Sequence, residues 1–360
     1  MWTENNVFLE DLEAITQTEC IPWKKLQGKT VLVTGGTGLI GSTLISSLLY
    51  ANQKLSLNLQ VLALIRNQTK AKKIFFQQLQ ERLPLHFITG TVENLPKIDQ
   101  SVDYIIHGAS PTSSAFFVEY PVETIEINVK GTSHLLQLAK EKKSAGFAYL
   151  SSMEVYGAPL SDQAIDETQG TTINTMVVRS CYPEAKRICE SLCASYAQEY
   201  GVPAFSVRLA QTFGPGVLEK DARVFAEFAR CAVQHHDIVL QTDGTSKRCY
   251  LYTADAVTAI LTVLLSGKGG EAYNAANPET YCSIVDMAQM VALELAQGDV
   301  KIKFNIDKNN EKKFPPPHHL NLDVNKLEKL GWKPTRNLMD MYLRMISAMK
   351  GYNLNDKQEI

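Results

Sequence analysis

Val31-Leu-Val-Thr-Gly-Gly-Thr-Gly-Leu-Ile-Gly41 decides the fold. An apolar run ends in a cluster of glycines, and the glycines open onto a helical pattern. Gly35 permits a tight turn, Gly38 lets the backbone approach a pyrophosphate, and Gly41 lets the helix pack closely on the strand. The start of that helix offers free N–H groups and partial positive charge to an anion. Thr37, Leu39 and Ile40 lie within the same cradle. Strand, glycine-rich turn and helix, in that order, are what a dinucleotide site requires.

Outward from this unit, Thr30–Val33, Leu59–Ile65, His86–Ile88, Val102–His107, Gly146–Ser151 and Ala204–Leu209 read as strands. Most are apolar throughout rather than alternating, which marks strands buried on both faces of a parallel sheet. Amphipathic segments such as Val122–Lys142 and Tyr182–Tyr200 lie between them. The alternation predicts an α/β protein with a doubly wound parallel (Rossmann) sheet. After Leu209 loops lengthen, and Pro/Gly/polar clusters appear at Phe213–Val217, Asp243–Ser246 and Lys313–Leu320. This predicts a smaller, discontinuous substrate-binding domain. The dinucleotide-binding unit takes 29–210 and 247–278, the smaller unit 211–246 and 279–351, with an extension at 1–28 and a tail at 352–360. The stretch Phe314–His319 cannot be helix, because successive prolines lack donors and restrict their neighbours. The extension carries one expected helix, Asn6–Gln17, packed on the body.

Composition narrows the partners. The 360 residues carry a net charge of −2, so no basic excess exists to neutralise nucleic-acid phosphates. No apolar run reaches the length of a membrane span; Val257–Leu265 is the best and is too short. The N-terminus has no basic n-region, so no secretory signal is expected there. Seven scattered cysteines without a C-x-x-C pair predict reduced thiols, a cytoplasmic location and no metal site.

Residues with chemistry cluster after the strands. The second strand ends Ala63-Leu-Ile-Arg66-Asn67, with Lys70 close by, where an NAD site carries an acid. Arg66 leans towards NADP, by gripping a 2′-phosphate; an Arg stacked on adenine fits NAD or NADP. Tyr182-Pro-Glu-Ala-Lys186 puts Tyr and Lys on one helix face. The ammonium is expected to lower the Tyr182 pKa and make it a usable base, and to hold the nicotinamide ribose. The fifth strand ends Ser151-Ser152-Met153-Glu154, at the edge where doubly wound sheets bind ligands. Ser152 is placed to bond a hydroxyl being oxidised. Glu154 is either an acid/base group or a loop carboxylate paired with an Arg.

Together Gly35, Gly38, Gly41, Ser152, Tyr182 and Lys186 resemble the extended short-chain dehydrogenase/reductase family, from Lys29 to about Gly351. The resemblance implies action on nucleotide-linked sugars through a 4-keto sugar. Within that family, His107-Gly-Ala-Ser-Pro-Thr-Ser113, Arg179-Ser-Cys-Tyr-Pro-Glu-Ala-Lys-Arg187, Arg208-Leu-Ala-Gln-Thr-Phe-Gly-Pro215, Asp243-Gly-Thr-Ser-Lys-Arg248 and Leu330-Gly-Trp-Lys-Pro334 are most similar to UDP-glucuronate decarboxylases. It implies Ser152, Glu154, Tyr182 and Lys186 as catalytic residues, Ala109 and Asn128 at the cofactor, and Ser110, Ser113, Gln211, Arg223 and Arg248 at the substrate. Arg223 and Arg248 suit a diphosphate through bidentate contacts, or an interdomain salt bridge. Met153 stands where sugar-nucleotide dehydratases carry an Asp, and cannot donate a proton. Gln211 replaces the family's Asn, Ser246 its Gln and Arg66 its acid. Decarboxylation leads; an epimerase or C4 oxidoreductase without decarboxylation is the second reading, and a non-catalytic dinucleotide sensor a remote third. The resemblance also implies a homodimer through the segments Val122–Lys142 and Tyr182–Tyr200.

Overall fold

A computed structural model describes residues 6–218, 220–306 and 317–355. Thirteen strands are present among them: β1 Thr30–Thr34, β2 Gln60–Ile65, β3 Leu85–Thr89, β4 Tyr104–His107, β5 Gly146–Ser152, β6 Ala204–Leu209, β7 Gln211–Phe213, β8 Ile238–Leu240, β9 Lys247–Tyr252, β10 Ala272–Ala275, β11 Asn277–Ser283, β12 Ile302–Phe304 and β13 His319–Leu320.

Seven of them form the central sheet, in the order β10-β6-β5-β4-β1-β2-β3, and every pairing is parallel. The six expected strands are all in it. β1, β4 and β5 are buried almost throughout, as their apolar runs require, whereas β3 at the sheet edge is half-exposed. The chain runs β1 to β2 to β3 on one side, then returns to β4 on the other. The strand order therefore reverses between β1 and β4, which is where such sheets bind ligands. Helices fill both faces. The helix Pro121–Lys142 begins with proline at its first turn and stops at Lys143 in the left-handed region. Its neighbour Cys181–Tyr200 stops at Gly201, also left-handed. These two helices lie side by side, with Leu135, Leu136 and Leu138 of one and Cys189 and Cys193 of the other in one apolar cluster.

The second sheet is small. β9 pairs in parallel with β7 and β13 and antiparallel with β11. Thus Lys247–Tyr252, at the head of the 247–278 stretch assigned to the larger unit, sits in the second sheet. The return to the central sheet comes with the helix Thr253–Ser266 and with β10. Of the proline stretch, Phe314–Pro316 lies outside the described residues; Pro317 and His318 are non-helical and His319 opens β13. The last helix, Leu338–Asn355, runs past the expected start of the tail at 352.

The extension does carry the helix Asn6–Gln17. Its Phe8, Leu12 and Ile15 are buried, and it packs on the helices Leu39–Leu55 and Thr253–Ser266. Its Asp11 accepts from Tyr252 Oη (2.6 Å) and from Arg344 Nη2 (2.9 Å) on the last helix, while Arg344 Nε donates to Tyr252 Oη (2.9 Å). Burial raises the Asp11 pKa, and Tyr252 and Arg344 oppose the rise. Among the described residues, no helix is long and apolar enough to cross a membrane.

Candidate active site

The glycine turn sits at the strand-order reversal. Gly35 has φ +73°, and a Cβ there would lie 2.6 Å from the carbonyl of Gly108, just after β4. A side chain is therefore barred by conformation and by space. Gly38 N–H donates to Gly35 O (3.0 Å), closing the turn, and Gly38 caps the helix Leu39–Leu55. A Cβ on Gly41 would meet Gly35 O at 2.2 Å. The close approach that Gly41 allows is thus of helix on turn, not of helix on strand. Thr34 Oγ1 and His107 Nδ1 share a 2.8 Å hydrogen bond, and Ala109 N–H donates to Thr34 Oγ1 (3.2 Å), so the ends of β1 and β4 are tied. Burial pulls the His107 pKa down to about 3, leaving it neutral.

Arg66 and Asn67 are exposed at the end of β2. Asn67 Oδ1 accepts from Lys70 N–H (2.8 Å), so its side chain caps the following short helix. Arg66 makes no ion pair among the described residues. From Cys20 to Gln80, the stretch that builds the adenosine half of such a site, the sequence holds no Asp or Glu.

The chemical residues gather at the end of β5. Ser152 caps the short turn Met153–Tyr156, accepting from Glu154 N–H (3.2 Å). Tyr182 is buried, its ring stacked on Phe117 at 4.2 Å, and Ser152 is near enough to favour its phenolate. Lys186 is fully enclosed; its Nζ donates to Leu150 O (2.8 Å) and lies 4.7 Å over the Tyr149 ring. Ser151 Oγ donates to Glu190 (2.5 Å), itself paired with Arg208 (2.7 Å), which fixes the strand end from behind.

The electrostatics correct one expectation. Tyr182 is pushed up, first by burial and then by the Glu154 carboxylate, while Ser152, Arg179 and Arg223 pull it down. Lys186 is itself lowered to about 8, chiefly by burial. Spacing of four does bring the Lys186 ammonium over the Tyr182 ring, 5.6 Å from its centre, but burial and Glu154 outweigh it. Glu154 pairs with Arg179, 2.7 Å apart, so the Arg partner weighed from the sequence exists.

Other expected residues are placed less directly. Ser110 Oγ donates to Pro111 O (3.0 Å), and Ser113 is exposed ahead of the helix Ser114–Glu119. Asn128 is buried, with Nδ2 donating to Thr124 O (2.7 Å) and Oδ1 without a partner among the described residues. Gln211 opens β7, and Arg248 is half-buried in β9, its Nε unpartnered among the described residues. Arg223 is held by Asp221 (Nε to Oδ1, 2.9 Å), close enough to bear on Tyr182. Sequence reasoning missed Phe117, Arg179 as the partner of Glu154, and Asp221; only Asp221, two residues before Arg223, had a local signal.

The residues fit a dinucleotide. The turn Gly35–Gly41 is a cradle that side chains would fill, and the orphaned Asn128 carbonyl awaits a donor. Fold and site define an extended short-chain dehydrogenase/reductase. A profile of the NAD dependent epimerase/dehydratase family matches residues 31–276. UDP-glucuronic acid decarboxylase 6 of Arabidopsis thaliana is 32% identical over 311 residues, 86% of this chain and 85% of that protein. UDP-glucuronic acid decarboxylase 1 of the same plant is 30% identical over 335 residues, 91% and 71% respectively. A solved dTDP-glucose 4,6-dehydratase of Streptomyces venezuelae with NAD bound has TM-score 0.74 at 22% identity, covering 91% of this chain and 98% of its own. The chain belongs to the NAD dependent epimerase/dehydratase family.

Proposed function

We propose that the chain oxidises a nucleotide-linked sugar at C4 and, on a uronic acid such as UDP-glucuronate, releases the carboxylate as carbon dioxide. The observation that carries this is the gathering of Ser152, Glu154 and Tyr182 at the end of β5, two strands from the glycine turn, with a carboxylate two residues after the serine and the apolar Met153 between them. Relatives 30–32% identical that are named UDP-glucuronic acid decarboxylases support it.

Bound in the glycine turn, with Lys186 at its nicotinamide ribose, NAD or NADP supplies a hydride acceptor. Ser152 orients the sugar hydroxyl by a hydrogen bond, and Tyr182 takes its proton. The C4 ketone makes the sugar a β-keto acid: the bond to the carboxylate breaks, its electron pair enters the enolate, and carbon dioxide leaves. Glu154 then positions the proton source that quenches C5, and return of the hydride to C4, with the proton given back by Tyr182, would restore the alcohol and the hydride acceptor. Arg223 and Arg248 are assigned to the diphosphate, for which Arg223 exchanges its Asp221 partner.

Mass spectrometry of UDP-glucuronate with catalytic amounts of the protein and no added cofactor tests this. The expected result is loss of carbon dioxide over many turnovers, because the reducing equivalents are recycled. A product of unchanged mass but altered stereochemistry would instead support the epimerase reading, which the Gln211 and Ser246 departures at the sugar site favour.

The Arg66 environment supports NADP over NAD. Exposed Val122, Ile125 and Ile188 on the adjacent helices Pro121–Lys142 and Cys181–Tyr200 support a homodimer through those helices. A monomeric mass in solution at micromolar concentration would contradict it.

A further inference from the structure

Glu154 and Tyr182 are assigned to one reaction, yet their nearness sets them against each other. A carboxylate beside a phenol opposes loss of the phenolic proton. The structure supplies a third group at this point. Arg179 comes from the turn Val178–Ser180, immediately ahead of the helix that carries Tyr182. Its Nη2 is 2.7 Å from Glu154 Oε2, and its guanidinium stands 5.1 Å over the ring of Phe117. That same ring is stacked on Tyr182. One side chain therefore holds the carboxylate and braces the aromatic wall behind the base. Both partners are largely shielded, with side chains 19% and 31% exposed. Such shielding makes charge effects larger than at an open surface.

We propose that Arg179 is a positioning residue of this reaction, clamping the Glu154 carboxylate and offsetting its negative charge at Tyr182. The inference rests on the reading of Tyr182 as the base. The groups facing Tyr182 are few. Glu154 and Ser152 come from the turn after β5, Arg179 from the turn before the helix, Arg223 from the segment ahead of the helix Val224–Gln234, and Lys186 and Cys181 from the helix itself. Tyr149 reaches it from β5, and Phe117 brings no charge. Of the cations, Arg223 is paired with Asp221, and Lys186 donates to Leu150 O while its Nζ lies 5.6 Å from the centre of the Tyr182 ring. Arg179 is the one bound to the opposing carboxylate itself. Without it, Glu154 would be free to swing and its charge would act on the phenol unopposed.

The test uses Arg179→Met, Arg179→Lys and Glu154→Gln in the full chain. The acid limb of kcat/KM for UDP-glucuronate should move to higher pH in Arg179→Met, by about one unit, a loss of about tenfold below the limb. Arg179→Lys should recover most of that loss, and thermal unfolding should confirm that both variants are folded. A second reading needs no substrate. Cys181 adjoins Tyr182 and feels the same pair: burial raises its pKa, Arg179 lowers it and Glu154 raises it. Peptide-resolved alkylation of Cys181 against pH should shift up in Arg179→Met, down in Glu154→Gln, and return towards the parent value in the double variant. An unmoved kinetic limb, or an unmoved Cys181 titration in the two single variants, would overturn the inference. If the parent protein turns over no nucleotide sugar, the proposed function fails, and the Cys181 titration still decides the role of Arg179 at this site.

Discussion

Tyr182→Phe should lower sugar oxidation by about a thousandfold while leaving cofactor affinity within about twofold. The reason lies in what the substitution keeps. The ring stays stacked on Phe117, so the packing at the head of the helix Cys181–Tyr200 is preserved, and only the hydroxyl near Ser152 is lost. Removing the oxygen removes the group that takes the C4 proton, and the neighbouring groups are held elsewhere: Lys186 Nζ donates to Leu150 O, His107 is neutral and tied to Thr34, and Glu154 is paired with Arg179. Single-turnover formation of reduced cofactor, read by absorbance, measures the first effect, and fluorescence titration with NAD and NADP the second. Near-parental turnover in Tyr182→Phe would remove the phenol from the reaction. In the parent protein, burial and Glu154 hold Tyr182 high, so activity should rise with pH through the acid limb; a positively charged nicotinamide ring bound nearby lowers that limb.

Gly41→Ala should abolish dinucleotide binding, weakening it by about a hundredfold or more, about 2.7 kcal/mol. The methyl would lie 2.2 Å from Gly35 O, 2.8 Å from Gly35 C and 2.9 Å from Gly36 Cα. All three are backbone atoms of the turn, so nothing flexible can yield, and the cradle must open. A stability loss of about 1–3 kcal/mol should accompany it, as for other overpacked sites. Gly38→Ala separates the two effects. Its Cβ meets only Gly35 O, at 3.3 Å, so the fold should hold while the methyl blocks the close approach of a pyrophosphate. Arg66→Ala belongs to the same titration. It should cost NADP affinity and spare NAD, because the side chain lies at the exposed end of β2 and supports nothing else. Equal loss of both would return Arg66 to the adenine face.

How much of this was legible depended on whether the signal was local. The glycine turn was, since a strand, three glycines and a helix must be contiguous to work. The six strands were, five of them because a buried strand is written as an apolar run, and the half-exposed β3 from its short apolar stretch after β2. β10 was not: Ala272–Ala275 is four residues long with an Asn in it, and its place beside β6 is set by pairing, not pattern. The second sheet was equally hidden: β7 and β13 are three and two residues long, and β9 and β11 open on polar residues rather than apolar runs. At the site, residue types and spacings pointed to Ser152, Glu154, Tyr182 and Lys186. What joins them was invisible. The Glu154–Arg179 pair, the Phe117–Tyr182 stack and the turning of Lys186 towards Leu150 link segments that only folding brings together. The direction of the Tyr182 shift was misread for the same reason. Spacing reveals which ammonium is near; burial and the side chain's aim decide what it does.

Asp11 and Arg344 stand 333 residues apart in the chain. During synthesis on the ribosome the helix Asn6–Gln17 emerges before any strand of the central sheet, but the cation paired with its buried carboxylate follows all of those strands. Until Arg344 arrives, docking that helix would bury an ionised acid without its partner, which is costly. That helix can therefore be fastened only after the whole central sheet has been made, and its fastening reports that translation has passed Arg344.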